Sequence, residues 1–110
     1  MPFYDLKEKT PLTAWPGMTA TFIHTDKMTY GILHIEKGAI IPENSHFHEQ
    51  WSHVLEGTME LTIGDETMTL TPGMCAHMPP DVPHGGVAIT DCKVLECFLP
   101  VREDLKDLES

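Results

Sequence analysis

The apolar residues of this chain come in short runs rich in threonine, valine, isoleucine and aromatics, and turn-forming residues cut each run short. No helical stripe of useful length precedes residue 102. Short β-prone runs between turn signals read as strands. Strands are predicted over 18–25, 28–37, 50–56, 58–63, 66–71, 74–78, 84–90 and 92–99. Gly38, Gly57, Gly64-Asp65, Pro72-Gly73, Pro79-Pro80 and Asp91 separate them. Gly64-Asp65 suits a two-residue hairpin turn, because glycine tolerates positive φ. Evenly spaced short strands predict an all-β sandwich or closed barrel.

The 110 residues fit one domain, 1–110. Residues 1–17 hold three prolines and are expected to form an arm or an edge strand. The barrel runs over about 18–100, and the charged tail 102–110 forms a short helix or frays. No run approaches the length of a membrane helix, and no leader pattern opens the chain, so a cytoplasmic protein with no membrane partner is expected. Cys75, Cys92 and Cys97 are odd in number and form no CxxC pair. That argues against a disulfide framework and a thiolate zinc site. The net charge of −10, with Arg102 the only arginine, argues against nucleic acid as a partner.

The 92–99 strand is apolar on both faces, with Val94 and Phe98 on one side and Leu95, Cys97 and Leu99 on the other. A strand of that kind needs a second cover outside the barrel, so a homodimer is expected.

Chemistry concentrates in residues 44–57 (NSHFHEQWSHVLEG). On a strand His46, His48 and Gln50 would point together, with Asn44 at the same phase. Neutral imidazole and carboxamide oxygen both coordinate divalent transition metals. A further donor, His84, follows the proline-rich segment 79–83, which stiffens its approach. His24, His34, His53 and His77 lack such company and read as solvent or packing residues.

Residues 38–50 (GAIIPENSHFHEQ) with Val54–Gly57 resemble the first cupin motif, and Pro72-Gly73 through His84 resemble the second. The resemblance implies a cupin double-stranded β-helix, a small jelly-roll-like barrel that is usually dimeric. Carried over residue by residue, it puts one divalent transition metal (Zn, Ni, Fe or Mn) on Asn44, His46, Gln50 and His84. The family usually has histidine where Asn44 stands. Asn44 can coordinate through its oxygen, a water can fill the position, or His48 can swing in.

The tail, Val94 to Leu105, is similar to the end of the small pectin-degradation cupins, which open the ring of 4,5-unsaturated uronates. Their catalytic acid, phenylalanine and arginine match Glu96, Phe98 and Arg102, with Glu one methylene longer than the family's Asp. The resemblance implies Glu96 as general acid or base, Phe98 as a wall that excludes water, and Arg102 as a bidentate clamp on a substrate carboxylate. Two other classes stay open: a small-molecule-binding cupin without turnover, and an iron dioxygenase. Sequence context also leaves a solvent-facing Glu96 and a surface pairing of Arg102 with Glu103 or Asp104 as alternatives.

Overall fold

The computed structural model describes residues 2–108. Its strands are β1 (Leu12–Trp15), β2 (Met18–His24), β3 (Thr29–Ile35), β4 (Ile40–Asn44), β5 (Glu49–Glu56), β6 (Met59–Ile63), β7 (Glu66–Leu70), β8 (Cys75–Met78), β9 (His84–Ala88) and β10 (Cys92–Leu99). A 3-10 turn over Leu6–Glu8 precedes them, capped by Asp5, and helix α1 (Glu103–Asp107) follows. No helix among the described residues is long and apolar enough to cross a membrane.

The strands form two antiparallel sheets. One has six strands in the order β1-β2-β3-β10-β5-β8, and the other has four in the order β4-β9-β6-β7. Alternation sorts their side chains: β3 reads buried and partly exposed by turns, and β10 does the same. Met18, Ala20, Phe22, Leu33, Val54, Leu61 and Val94 are buried in the core these inner faces share. The β6–β7 turn is Gly64-Asp65, as expected, with Gly64 at φ +59°.

Register decides what the inner face offers. Across the six-stranded sheet one row runs Ala20, Leu33, Val94, Val54, all apolar. The next runs Phe22, Gly31, Glu96, Ser52, Ala76. Small residues flank Glu96 in that row, so the sheet leaves space in front of its carboxyl. Gly31 must be small: a Cβ there would lie 2.4 Å from Phe22 Cδ1 and 2.5 Å from the Thr21 carbonyl oxygen. The third row is His24, Thr29, Phe98, Gln50, Met78.

Two elements differ from the sequence expectation. Strand β4 was not expected, because Pro42 interrupts it and most of its residues are exposed. It is an edge strand, and its register with β9 shifts between Ile41 and Asn44, where a residue without an N–H does least harm. Residues 45–48 lie outside any strand, so strand alternation does not govern His46 and His48.

The outer face of β3, β10 and β5 exposes Tyr30, Leu99, Trp51 and Leu55, with Leu95 and Cys97 half-buried between them. We expect a second copy to cover this face. Light scattering at micromolar concentration should then give twice the chain mass, and Leu95→Glu should lower it. A monomer mass for the wild-type protein would contradict this.

Candidate functional site

A cavity of about 450 Å³ opens between the two sheets, a size suited to a small ligand. Met18, Phe22, Leu33 and Leu61 give it an apolar floor, and His46, Gln50, Ser52, His84, Glu96 and Arg102 reach it with polar atoms.

The histidines come from the four-stranded sheet and the segment beside it. His84 opens β9, paired with Asn44 on one side and Ile63 on the other. His46 follows β4, and its carbonyl accepts a hydrogen bond from the Asp81 N–H at 2.8 Å, which docks the proline-rich loop. The two rings stand edge to face with centroids 5.0 Å apart. His46 Nδ1 lies 3.0 Å from the His48 carbonyl oxygen, and His84 Nδ1 lies 3.0 Å from that of Val82. A carbonyl can only accept, so each Nδ1 carries the hydrogen and each neutral ring presents Nε2 as a lone pair. Burial holds His84 below the usual imidazole range, helped by His46 and Arg102, with the Val82 hydrogen bond opposing.

Gln50 joins these rings to the carboxyl. Its Nε2 donates to Glu96 Oε2 at 2.9 Å and to Ser52 Oγ at 3.3 Å. Its Oε1 therefore faces His46 Nε2, at 3.0 Å. That contact is satisfied either by a proton on Nε2 donated to Oε1 or by a cation bound to both atoms. The donor chemistry of His46, His84 and Gln50 thus fits a divalent transition metal. Among the described residues no three His, Cys, Asp or Glu side chains converge as a metal group, since the set here mixes imidazole with carboxamide. Asn44 is half-buried at the cavity edge, and its Nδ2 donates to the Pro42 carbonyl at 2.9 Å and the His84 carbonyl at 3.4 Å, leaving Oδ1 outside these bonds.

His48 does not join this group. It is buried and stacked on Phe47, with ring centroids 4.0 Å apart, and does not line the cavity. Its Nδ1 has no hydrogen-bond partner among the described residues. Burial lowers its affinity for a proton, with Arg102 and His46 adding to the effect. His24 bonds Thr29 and His77 pairs with Glu49, both away from the cavity.

Glu96 is 5 % exposed, so it faces the interior and not solvent. Ser52 Oγ donates to Glu96 Oε2 at 2.5 Å, the same oxygen that Gln50 bonds. Oε1 is left outside both bonds. Burial pushes this carboxyl up from 4.5 to about 7, although Ser52, Gln50 and Arg102 all favour its charged form. Phe98 lies one row toward Arg102 and packs edge to face on His46 at 5.8 Å. The Arg102 guanidinium carbon sits 4.8 Å from the Phe98 ring centroid. Arg102 Nε and Nη2 donate to Asp104 at 3.0 and 2.8 Å, and this bonding holds the Asp104 carboxyl below its ordinary range. The Arg102 backbone N–H donates to Thr29 Oγ1 at 2.8 Å.

Two contributors were missed at the sequence level, Ser52 and Thr29, whereas the pairing of Arg102 with Asp104 was one of the alternatives and is present. Ser52 was within reach, two strand positions from Gln50. Thr29 was not, because its role depends on register and on where the tail meets β3.

The raised carboxyl has a consequence for stability in metal-free protein. A group whose folded pKa exceeds its unfolded one is best tolerated below the unfolded value, and stability falls as pH rises through the folded value. Glu96 alone should therefore withdraw up to about 3 kcal/mol between pH 4.5 and about 7, while the lowered His48 and His84 act in the opposite sense. Glu96→Gln cannot ionise and should gain on the wild type as pH rises. Urea unfolding with chelator at pH 5 and pH 8 checks this, and an equal stability difference at both would contradict it.

The sequence matches the cupin domain family over residues 31–98. No curated protein sequence matches the chain. Among solved structures, KdgF from Halomonas sp. is 27 % identical with a TM-score of 0.89, covering 96 % of this chain and 98 % of its own. An RmlC-like cupin from Shewanella frigidimarina is 25 % identical with a TM-score of 0.90, covering 96 % of each chain. The polyketide cyclase RemF from Streptomyces resistomycificus shares the fold at 20 % identity and a TM-score of 0.79, over 90 % of this chain and 79 % of that one. With its two facing antiparallel sheets and its match over residues 31–98, the chain belongs to the cupin family and has the cupin double-stranded β-helix fold.

Proposed function

We propose that this cupin opens the ring of 4,5-unsaturated uronates with one divalent transition metal held by His46, Gln50 and His84, and with Asn44 as a further ligand through Oδ1. The observation that carries the reading is the meeting in one cavity of an imidazole–carboxamide donor set, a buried carboxyl poised near neutrality and an arginine over the Phe98 ring. The tail's resemblance to the pectin-degradation cupins and the likeness to KdgF support it. When bound, the metal would polarise substrate oxygens or acidify a bound water.

The chain's own residues account for binding and proton movement. Arg102 holds the substrate carboxylate, and Phe98 walls the ring and excludes water. In the ring opening the anomeric hydroxyl loses its proton and the bond between the anomeric carbon and the ring oxygen breaks. An aldehyde and an enolate result, and a proton added to C4 completes the ketone, so the product is an isomer of the substrate. Glu96 is the group to move that proton through Oε1, since near pH 7 it can both give and take one.

Asn44 favours a second reading, a cupin that binds a small carboxylate without turnover. Its carboxamide is a weaker donor than the family's usual histidine, and its amide is spent on backbone carbonyls.

Loss of substrate absorbance against the spontaneous rate separates these readings. Wild type should accelerate it without consuming oxygen, and oxygen uptake would point to a dioxygenase. Arg102→Lys should lose about 30- to 1000-fold in rate, roughly 2–4 kcal/mol, while keeping fold and metal. An active wild type with an unaffected Arg102→Lys would remove the clamp from this account. His84→Ala should lose most of its bound metal by elemental analysis, and equal metal in both proteins would refute the ligand set.

A further inference from the structure

The contacts around Arg102 fix three separate freedoms. Its backbone is fixed by Thr29, a residue with no exposed surface on β3, whose Oγ1 accepts the Arg102 N–H at 2.8 Å. Its guanidinium is held over the Phe98 ring, with 4.8 Å from guanidinium carbon to centroid. Its rotation is fixed by Asp104, whose Oδ1 and Oδ2 accept from Nε and Nη2 at 3.0 and 2.8 Å. The arginine side chain is 16 % exposed, whereas that of Asp104 is 60 % exposed. The pair therefore spans from the cavity wall toward solvent.

A guanidinium carries five N–H donors in a planar fork. The bonds to Asp104 occupy the side-on edge formed by Nε and Nη2. Both hydrogens of Nη1 and the second hydrogen of Nη2 remain. One hydrogen of each Nη makes up the end-on edge, which can itself take a carboxylate with two parallel bonds. One arginine can thus hold two carboxylates at once, one supplied by the protein and one by a ligand.

We propose that Asp104 is a positioning residue: together with Thr29 it locks Arg102 so that the end-on edge of the guanidinium is presented to a planar carboxylate in the cavity. This rests on the proposed uronate reading only for the identity of the carboxylate. Asp104 is a partner of Arg102 that stays in place, not a stand-in that the ligand displaces. The distinction has a sign. Loss of a positioning partner lets the fork rotate and weakens carboxylate binding, whereas loss of an internal competitor strengthens it.

The test is steady-state kinetics on a 4,5-unsaturated uronate with metal-loaded protein, paired with calorimetric binding of D-galacturonate, a saturated uronate, and of galactose as the control without a carboxylate. Asp104→Asn should raise KM and weaken galacturonate binding by about tenfold, with kcat changed less than KM. Asp104→Ala should match it. Thr29→Val should shift KM the same way, and Thr29→Ser, which keeps the Oγ acceptor, should restore it. An unchanged or lower KM in Asp104→Asn, with matching circular dichroism and metal content, would overturn the proposal. So would wild-type protein that binds galacturonate no better than galactose. The two readings fail separately. Galacturonate binding that weakens in Asp104→Asn, without turnover of the unsaturated uronate, keeps the positioning role and removes the ring opening. Turnover that is indifferent to Asp104 does the reverse.

Discussion

The site depends on one carboxamide in the barrel interior. Gln50 gives its N–H groups to Glu96 and Ser52, and this leaves its oxygen aimed at His46. Apart from the packing of Phe98 on His46, the two halves of the cavity are separate constructions. Glu96 and Ser52 belong to neighbouring strands of the six-stranded sheet, whereas His84 sits at the head of a strand in the other sheet. Gln50 bridges them, so its orientation sets both the donor facing the histidines and the hydrogen bonds on the carboxyl. A substitution there disturbs both at once, and the two effects would not add.

Burial supplies the chemistry. In water a glutamate is ionised at neutral pH and a poor proton donor. Glu96 is enclosed by the row Phe22, Gly31, Ser52 and Ala76, and it keeps its proton up to about 7 against three neighbours that favour the charge. Burial on the facing sheet likewise lowers the proton affinity of His84. The chain's net charge of −10 works against an anionic ligand, and Arg102 is the one guanidinium able to answer it. The Arg102–Asp104 pair carries no surplus positive charge, so under the proposed function geometry and not net charge would select the carboxylate.

Legibility in the sequence followed the range of the interactions. The β-prone runs of β3 and β10, the hairpin at Gly64-Asp65 and the two-faced character of residues 92–99 are local properties of the chain, and they were readable. His46, Gln50 and His84 stood out because they fall in two motifs of known spacing. Strand β4 was hidden by Pro42, which breaks the local signal while an edge position tolerates it. His48 was misplaced because it was counted as a strand residue, whereas its backbone turns there and its ring packs on Phe47. The burial of Glu96 could not be read from Leu95 and Cys97 beside it, since it arises from small residues across the register at Gly31 and Ser52. Asp104 was visible only as a possible surface partner. Its bidentate grip on an arginine stacked over Phe98 depends on the tail folding back across the barrel mouth.

The most direct test of this arrangement is an anomalous-scattering crystal structure of protein loaded with one equivalent of zinc or nickel. A single strong peak is expected, bounded by His46 Nε2, His84 Nε2 and Gln50 Oε1, with Gln50 Nε2 still on Glu96. A peak elsewhere, at His77 and Glu49 for example, or a Gln50 turned away from the histidines, would contradict it.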